Sequence, residues 1–194
     1  VKNRAAGEFS GSITAGGRTI PLVYERTSIL TQEELNAQGA RLVRIASAQP
    51  DAVEGMDASM LAGAIVLTDL VNFRSAPPEA QRDAFTAMQA LLPRLAKAGV
   101  VAVIGIDRTG AVGSGFGPGS LIDPESPEAG GRGPRMQPPL LWSHDPEVIA
   151  LFDSLENGPA EGAVDLVLGP MHTGPVALRN VVGLLRGSDE VLRE

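Results

Sequence analysis

The chain has 194 residues, enough for one ordinary domain with a core of its own, and at 43% hydrophobic and 20% charged it has the make-up of a folded globular protein. A formal net charge of −7, with no two basic residues adjacent, argues against nucleic acid, whose phosphates need clustered Lys and Arg. The absence of cysteine excludes disulfides, a thiolate nucleophile and Cys-ligated metal, and no stretch approaches the roughly 18 consecutive apolar residues of a membrane span.

Taken in chain order, residues 11–23 read as a hairpin around a Gly16-Gly17 turn. Thr31 followed by Glu33 and Glu34 has the form of an N-cap with a capping-box acid, which predicts a short helix up to Gly39. Residues 41–46 alternate Leu42, Val43 and Ile45 with Arg41 and Arg44 as a strand does, and residues 49–60 read as loop. Ala64 to Thr68 is a continuous apolar run of the buried-strand kind. Pro77 and Pro78 then open a helix whose apolar face is Phe85, Met88, Leu91, Leu92, Leu95 and Ala96. Pro93 should kink or split it, and Lys97 and Gly99 mark its end. A second buried strand follows over 100–106. Strand, helix and strand at this spacing predict a right-handed crossover between parallel strands.

Residues 110–139 form a long Gly- and Pro-rich stretch with no periodicity, which is uncommon inside a compact domain and points to function. Leu140-Leu141-Trp142 reads as a short strand. Asp145-Pro146 is a helix start, Val148, Ile149, Leu151, Phe152 and Leu155 give that helix an apolar face, and Asn157-Gly158 ends it. Residues 163–168 and 176–185 supply two closing strands. The chain opens on Val1 and stops five residues after a Gly187-Ser188-Asp189 turn, so it is read as a piece of a longer protein.

No constellation for catalysis emerges. Gly113, Gly115, Gly117 and Gly119 follow a strand, but Pro118, Pro124 and Pro127 stand where a phosphate-binding loop needs a helix N-terminus. His144 and His172 are the only histidines, and neither has an acid at a spacing that would complete a metal triad. No Gly-x-Ser-x-Gly elbow joins a strand to a helix, and Asp123, Glu125 and Glu128 read as a solvated acidic loop. Catalytic, cofactor-binding and metal-ligating residues are therefore assigned to none. Phe116, flanked by Gly115 and Gly117 in the long loop, is a candidate for contact with a partner or ligand. Trp142 reads as a core or interface anchor, with an exposed ligand-stacking platform as the alternative. These four residues are the cleft- or partner-facing candidates.

Two stretches carry a resemblance. Gly63-Ala64-Ile65-Val66-Leu67, a helix, and then Leu95-Ala96-Lys97-Ala98-Gly99-Val100-Val101-Ala102-Val103-Ile104 resemble the protease-associated (PA) domain, where a "GxIVLV" strand leads to a helix ending in "AxxAGAxAVI". Arg179-Asn180-Val181-Val182-Gly183-Leu184-Leu185-Arg186-Gly187-Ser188-Asp189 is similar to the "xNVxGxLxGSD" strand and turn that precedes the first zinc ligand, a His-x-Asp motif, in M28-type zinc aminopeptidases. The resemblance implies a mixed α/β fold of the swivelling β/β/α type, with small mixed sheets in a barrel-like core and flanking helices. It divides the chain into a connecting segment (1–40), a PA-like domain (41–176) and a strand and turn (177–194) leading into a peptidase core. It implies a non-catalytic module of a secreted or periplasmic hydrolase, covering the substrate cleft and aiding substrate recognition. Its partners would be the downstream peptidase domain and the peptide substrate. No cofactor falls in these residues, and the two zinc ions of the implied parent would be held beyond them. A stand-alone ligand- or protein-binding module is the alternative.

Overall fold

Two five-residue runs without polar alternation, Ala64–Thr68 (β6) and Ala102–Ile106 (β7), are buried along their whole length. A strand with that pattern needs cover on both faces, and both faces are covered. In this computed structural model, which describes residues 2–31, 33–47, 50–53, 56–69, 78–110 and 137–173, side chains of alternate parity enter two separate cores. Ala64, Val66 and Val103 meet Val43, Ile45, Trp142 and the helix residues Leu91, Leu92 and Leu95. Ile65, Leu67, Ala102 and Ile104 meet Leu42, Leu141, Val148, Leu151, Phe152 and Leu166 on the other side. Each fully buried Leu or Ile contributes about 1.5–3 kcal/mol of apolar transfer, so this double-sided wall is the main source of stability.

The other strands are β1 (Lys2–Asn3), β2 (Phe9–Ala15), β3 (Arg18–Pro21), β4 (Thr27–Ile29), β5 (Leu35–Ile45), β8 (Leu140–Ser143), β9 (Gly158–Leu168) and β10 (His172–Thr173). Eight of them form one mixed sheet, in the order β3-β2-β9-β5-β6-β7-β8-β4, curled into a half-barrel. Neighbours among β5, β6, β7 and β8 are parallel, as expected for β6 and β7, and the remaining pairs are antiparallel. The fold is mixed α/β, as the sequence implied, with a two-stranded ladder of β1 and β10 beside the main sheet. The segment 1–40 provides β2, β3 and β4 and the start of β5 to that sheet.

The helices are α1 (Ala58–Leu61), α2 (Pro78–Lys97) and α3 (Pro146–Ser154). Pro93 lies inside α2 without splitting it. It removes one backbone bond, while buried Leu91, Leu92 and Leu95 hold the surrounding turns against the sheet. The helix closes on a Schellman pattern: Val100 N–H donates to Leu95 O and Gly99 N–H to Ala96 O, with Gly99 at φ +80°. The expected hairpin is formed by β2 and β3 around Gly16 and Gly17, both at positive φ.

Two sequence readings are overturned. Within 49–60, read as loop, Pro50–Val53 form a short 3-10 helix and residues 58–60 open α1, capped by Asp57, which accepts from Ser59 N–H. Residues 35–39 belong to the eleven-residue strand β5, not to a helix. The cap-like bond exists, since Glu33 N–H donates to Thr31 Oγ1 at 3.1 Å, but it closes a local turn. Pairing of Leu35, Asn36 and Ala37 with Leu168, Val167 and Leu166 of β9 then outweighs helix propensity. The expected strand at 163–168 is longer, beginning at Gly158, and the one at 176–185 lies outside the described residues.

Arg4 joins the two ends of this body. It is 1% exposed, and its Nε, Nη1 and Nη2 donate to Gly169 O, Thr31 O and Glu33 O at 2.8, 3.2 and 2.9 Å. Burial pushes its guanidinium down from the ordinary value, opposed by Tyr24, Glu34 and Glu8. The Tyr24 hydroxyl donates to Arg4 O.

Candidate functional site

Parallel strands present their carboxyl ends along one edge, which is where ligands of open α/β sheets bind. Here the turns that leave that edge carry a group of chemically capable side chains. Past β6 stands Asp69, past β7 come Asp107, Arg108 and Thr109, and past β8 come His144 and Asp145.

Most of them are committed to the fold. Asp145 caps α3, accepting from Glu147 N–H at 2.9 Å and from Arg26 Nη1 at 3.0 Å, while its own N–H donates to Ser143 Oγ. The Asp-Pro pair produces this cap because Pro146 needs no N–H partner at the first helical position. Asp107 is 1% exposed and its Oδ1 accepts from the Thr109 amide and hydroxyl at 3.2 and 3.0 Å. Arg108 reaches both ways. Its Nη1 and Nη2 donate to the two carboxylate oxygens of Asp153 at 3.1 and 2.7 Å, and its Nε donates to Asp69 at 3.0 Å. Those bonds raise the Arg108 guanidinium above its ordinary value and hold the Asp153 carboxyl below the usual carboxylate range. The Arg44 guanidinium lies 4.4 Å from the Phe152 ring centroid and donates from Nε to Phe152 O, so two arginines clamp the end of α3 to the sheet.

This arrangement is an ion-paired clasp. The bond to Arg108 favours the ionised form of Asp153, the opposite of what a proton donor near neutrality requires. Among the described residues no three His, Asp or Glu side chains converge as a metal-ligand set. His172 instead faces Glu8, Nε2 to Oε1 at 3.2 Å, and His144 lies beside Gly110. The described residues therefore do not fit a zinc ion, and no catalytic step is derived through one.

Of the four sequence candidates, Gly115, Phe116 and Gly117 lie outside the described residues. Trp142 is 2% exposed on β8, within the core on the α2 side of the sheet. Sequence reasoning missed the Arg108 bridge. The signal available was an Asp-Arg pair directly after a buried strand, though nothing local names its partners Asp69 and Asp153.

No family model matches the chain, and no curated protein matches it. Among solved structures, the crystal structure of a Peptidase M28 precursor from Shewanella amazonensis SB2B is similar at 16% identity and a TM-score of 0.47. The likeness covers 87% of this chain and 35% of that one, so the chain spans about a third of that protein's length.

Proposed function

We propose that this chain is the non-catalytic protease-associated domain of an M28-type zinc aminopeptidase, covering the substrate cleft of a peptidase domain and aiding the choice of peptide substrate. The observation that carries the reading is the block 63–104. Its residues resemble the family pattern, and they fold as strand, helix and parallel strand in the order that pattern implies. The segment 179–189, similar to the strand and turn that precede a His-x-Asp zinc ligand pair, supports it from the sequence side.

On this reading the domain takes in the strands of residues 1–40, which share its sheet, and 177–194 lead on to the peptidase core. That core would hold two zinc ions and do the chemistry, in a secreted or periplasmic setting. Gly115, Phe116 and Gly117 are the cleft-facing candidates, and Trp142 is a packing residue behind them in the chain.

The test begins with the gene beyond the Glu194 codon. A strand followed by His-x-Asp, with further acidic and His ligands downstream, supports the proposal, and an immediate stop codon overturns it. In the longer protein, deleting residues 112–119 should change KM or substrate preference at constant zinc content. Loss of zinc on that deletion would refute the cleft-covering role.

A further inference from the structure

Asn157-Gly158 is the only Asn-Gly pair in the sequence, and it stands where the chain leaves α3 and enters β9. An asparagine carboxamide lies within reach of the backbone nitrogen that follows it, and a glycine there puts no side chain in the way of their reaction. Further features of this fold favour that reaction. Asn157 is exposed, so its carboxamide meets solvent. Its Oδ1 accepts from Ala46 N–H at 2.8 Å, which polarises the carboxamide carbon and stabilises negative charge developing on that oxygen. Gly158 lies at φ +113°, and no other described group stands within 4 Å of where a Cβ would sit. The restraint is the sheet, since Gly158 is buried and pairs with Arg44 in the end rung of the β5–β9 ladder. An end rung is the part of a ladder that opens most readily.

We propose that Asn157-Gly158 is a site of spontaneous deamidation through a cyclic imide. When the end rung opens, hydroxide removes the Gly158 amide proton and the nitrogen lone pair attacks Asn157 Cγ. The new C–N bond forms, the Cγ–Nδ2 bond breaks, and Nδ2 takes up a proton and leaves as ammonia. Water then adds to either imide carbonyl and cleaves its C–N bond, giving aspartate or isoaspartate at this position. Both products add a negative charge just past the carboxyl end of α3, next to Glu156, where the helix dipole opposes it. Isoaspartate also routes the main chain through its side-chain carbon, so the link from α3 to β9 grows by a methylene.

The test ages the unsubstituted protein in mildly alkaline buffer and digests it. The peptide that holds residue 157 is followed by mass and by methyl transfer from an isoaspartyl methyltransferase. The proposal requires that peptide to gain the mass of an amide-to-acid exchange and to accept methyl groups. Its rate should be within about tenfold of that in the urea-unfolded chain, because an end rung opens readily. Conversion that is slower than this in the folded protein, or absent, overturns the proposal, since the fold then shields the pair. Asn157→Gln, whose longer side chain closes an imide far more slowly, should silence the signal. A methyl-accepting signal that persists in that variant comes from another residue and overturns the proposal too. The ageing of the unsubstituted protein stands as a test whether or not the variant folds.

Discussion

Arg4 offers the sharpest test of how the body is held together. Its three hydrogen bonds reach backbone carbonyls from two distant stretches, Thr31 and Glu33 on one side and Gly169 on the other. Hydrogen bonds from a charged donor are each worth about 1.5–3 kcal/mol, so the three total about 4.5–9 kcal/mol before costs. Burying the guanidinium takes back several kcal/mol of that, and the direction of its pKa shift shows the same penalty. We expect Arg4→Met to lose about 2–4 kcal/mol. Arg4→Lys should lose as much or more, because an ammonium keeps the burial penalty but cannot present a planar fork to three acceptors. Urea unfolding measures this: with a slope of about 2 kcal/mol/M, a loss of 3 kcal/mol moves the midpoint down by about 1.5 M at constant slope. If Arg4→Lys stays within about 0.5 kcal/mol of the parent, the fork geometry is irrelevant and the reasoning fails.

Three further outcomes follow from contacts described above or beside them. Gly162 faces Ala15 across β2 and β9, and a Cβ there would collide with Thr14 O and press on Ala15; Gly162→Ala should cost about 3 kcal/mol in chemical unfolding, whereas Gly17→Ala, in open space at φ +74°, should cost about 1 kcal/mol. Asp145→Ala should cost about 1–2 kcal/mol through the lost α3 cap. Asp145→Asn keeps the cap and loses only a bridge to the half-exposed Arg26, so equal losses from the two variants would show that the ion pair dominates. Arg108 holds the Asp153 carboxyl below its ordinary value of 3.8. A depressed carboxylate stabilises the fold fully above that value and loses its contribution as pH falls through the lowered one. Arg108→Ala should move the Asp153 midpoint, followed by carboxyl carbon shifts, back up to the ordinary range, and an unmoved midpoint would refute the pairing.

The central crossover was legible because its signals are local and agree. Apolar runs set β6 and β7, the 3–4 spacing of Leu91, Leu92 and Leu95 set the face of α2, and Gly99 set its end. Asp145-Pro146 announced α3 for the same reason. The failure at residues 31–39 shows the converse: the Thr31–Glu33 bond is a cap bond in form, yet this part of β5 is decided by β9, which follows it by more than a hundred residues. Arg4 gives no sequence signal, since its acceptors are backbone carbonyls and no side-chain type predicts them. The clasp around Arg108 is invisible in the sequence, because Asp69, Arg108 and Asp153 are far apart in the chain.

The β1–β10 ladder has a mechanical consequence. Lys2 pairs with Thr173 and Asn3 with His172, so the two ends of the described residues lie side by side on antiparallel strands. Tension on the two flanking segments therefore peels the ladder one rung at a time instead of shearing it. Two rungs resist little, and the load next falls on the Arg4 bonds to Gly169, Thr31 and Glu33. The eight-stranded sheet carries none of the force until those give way.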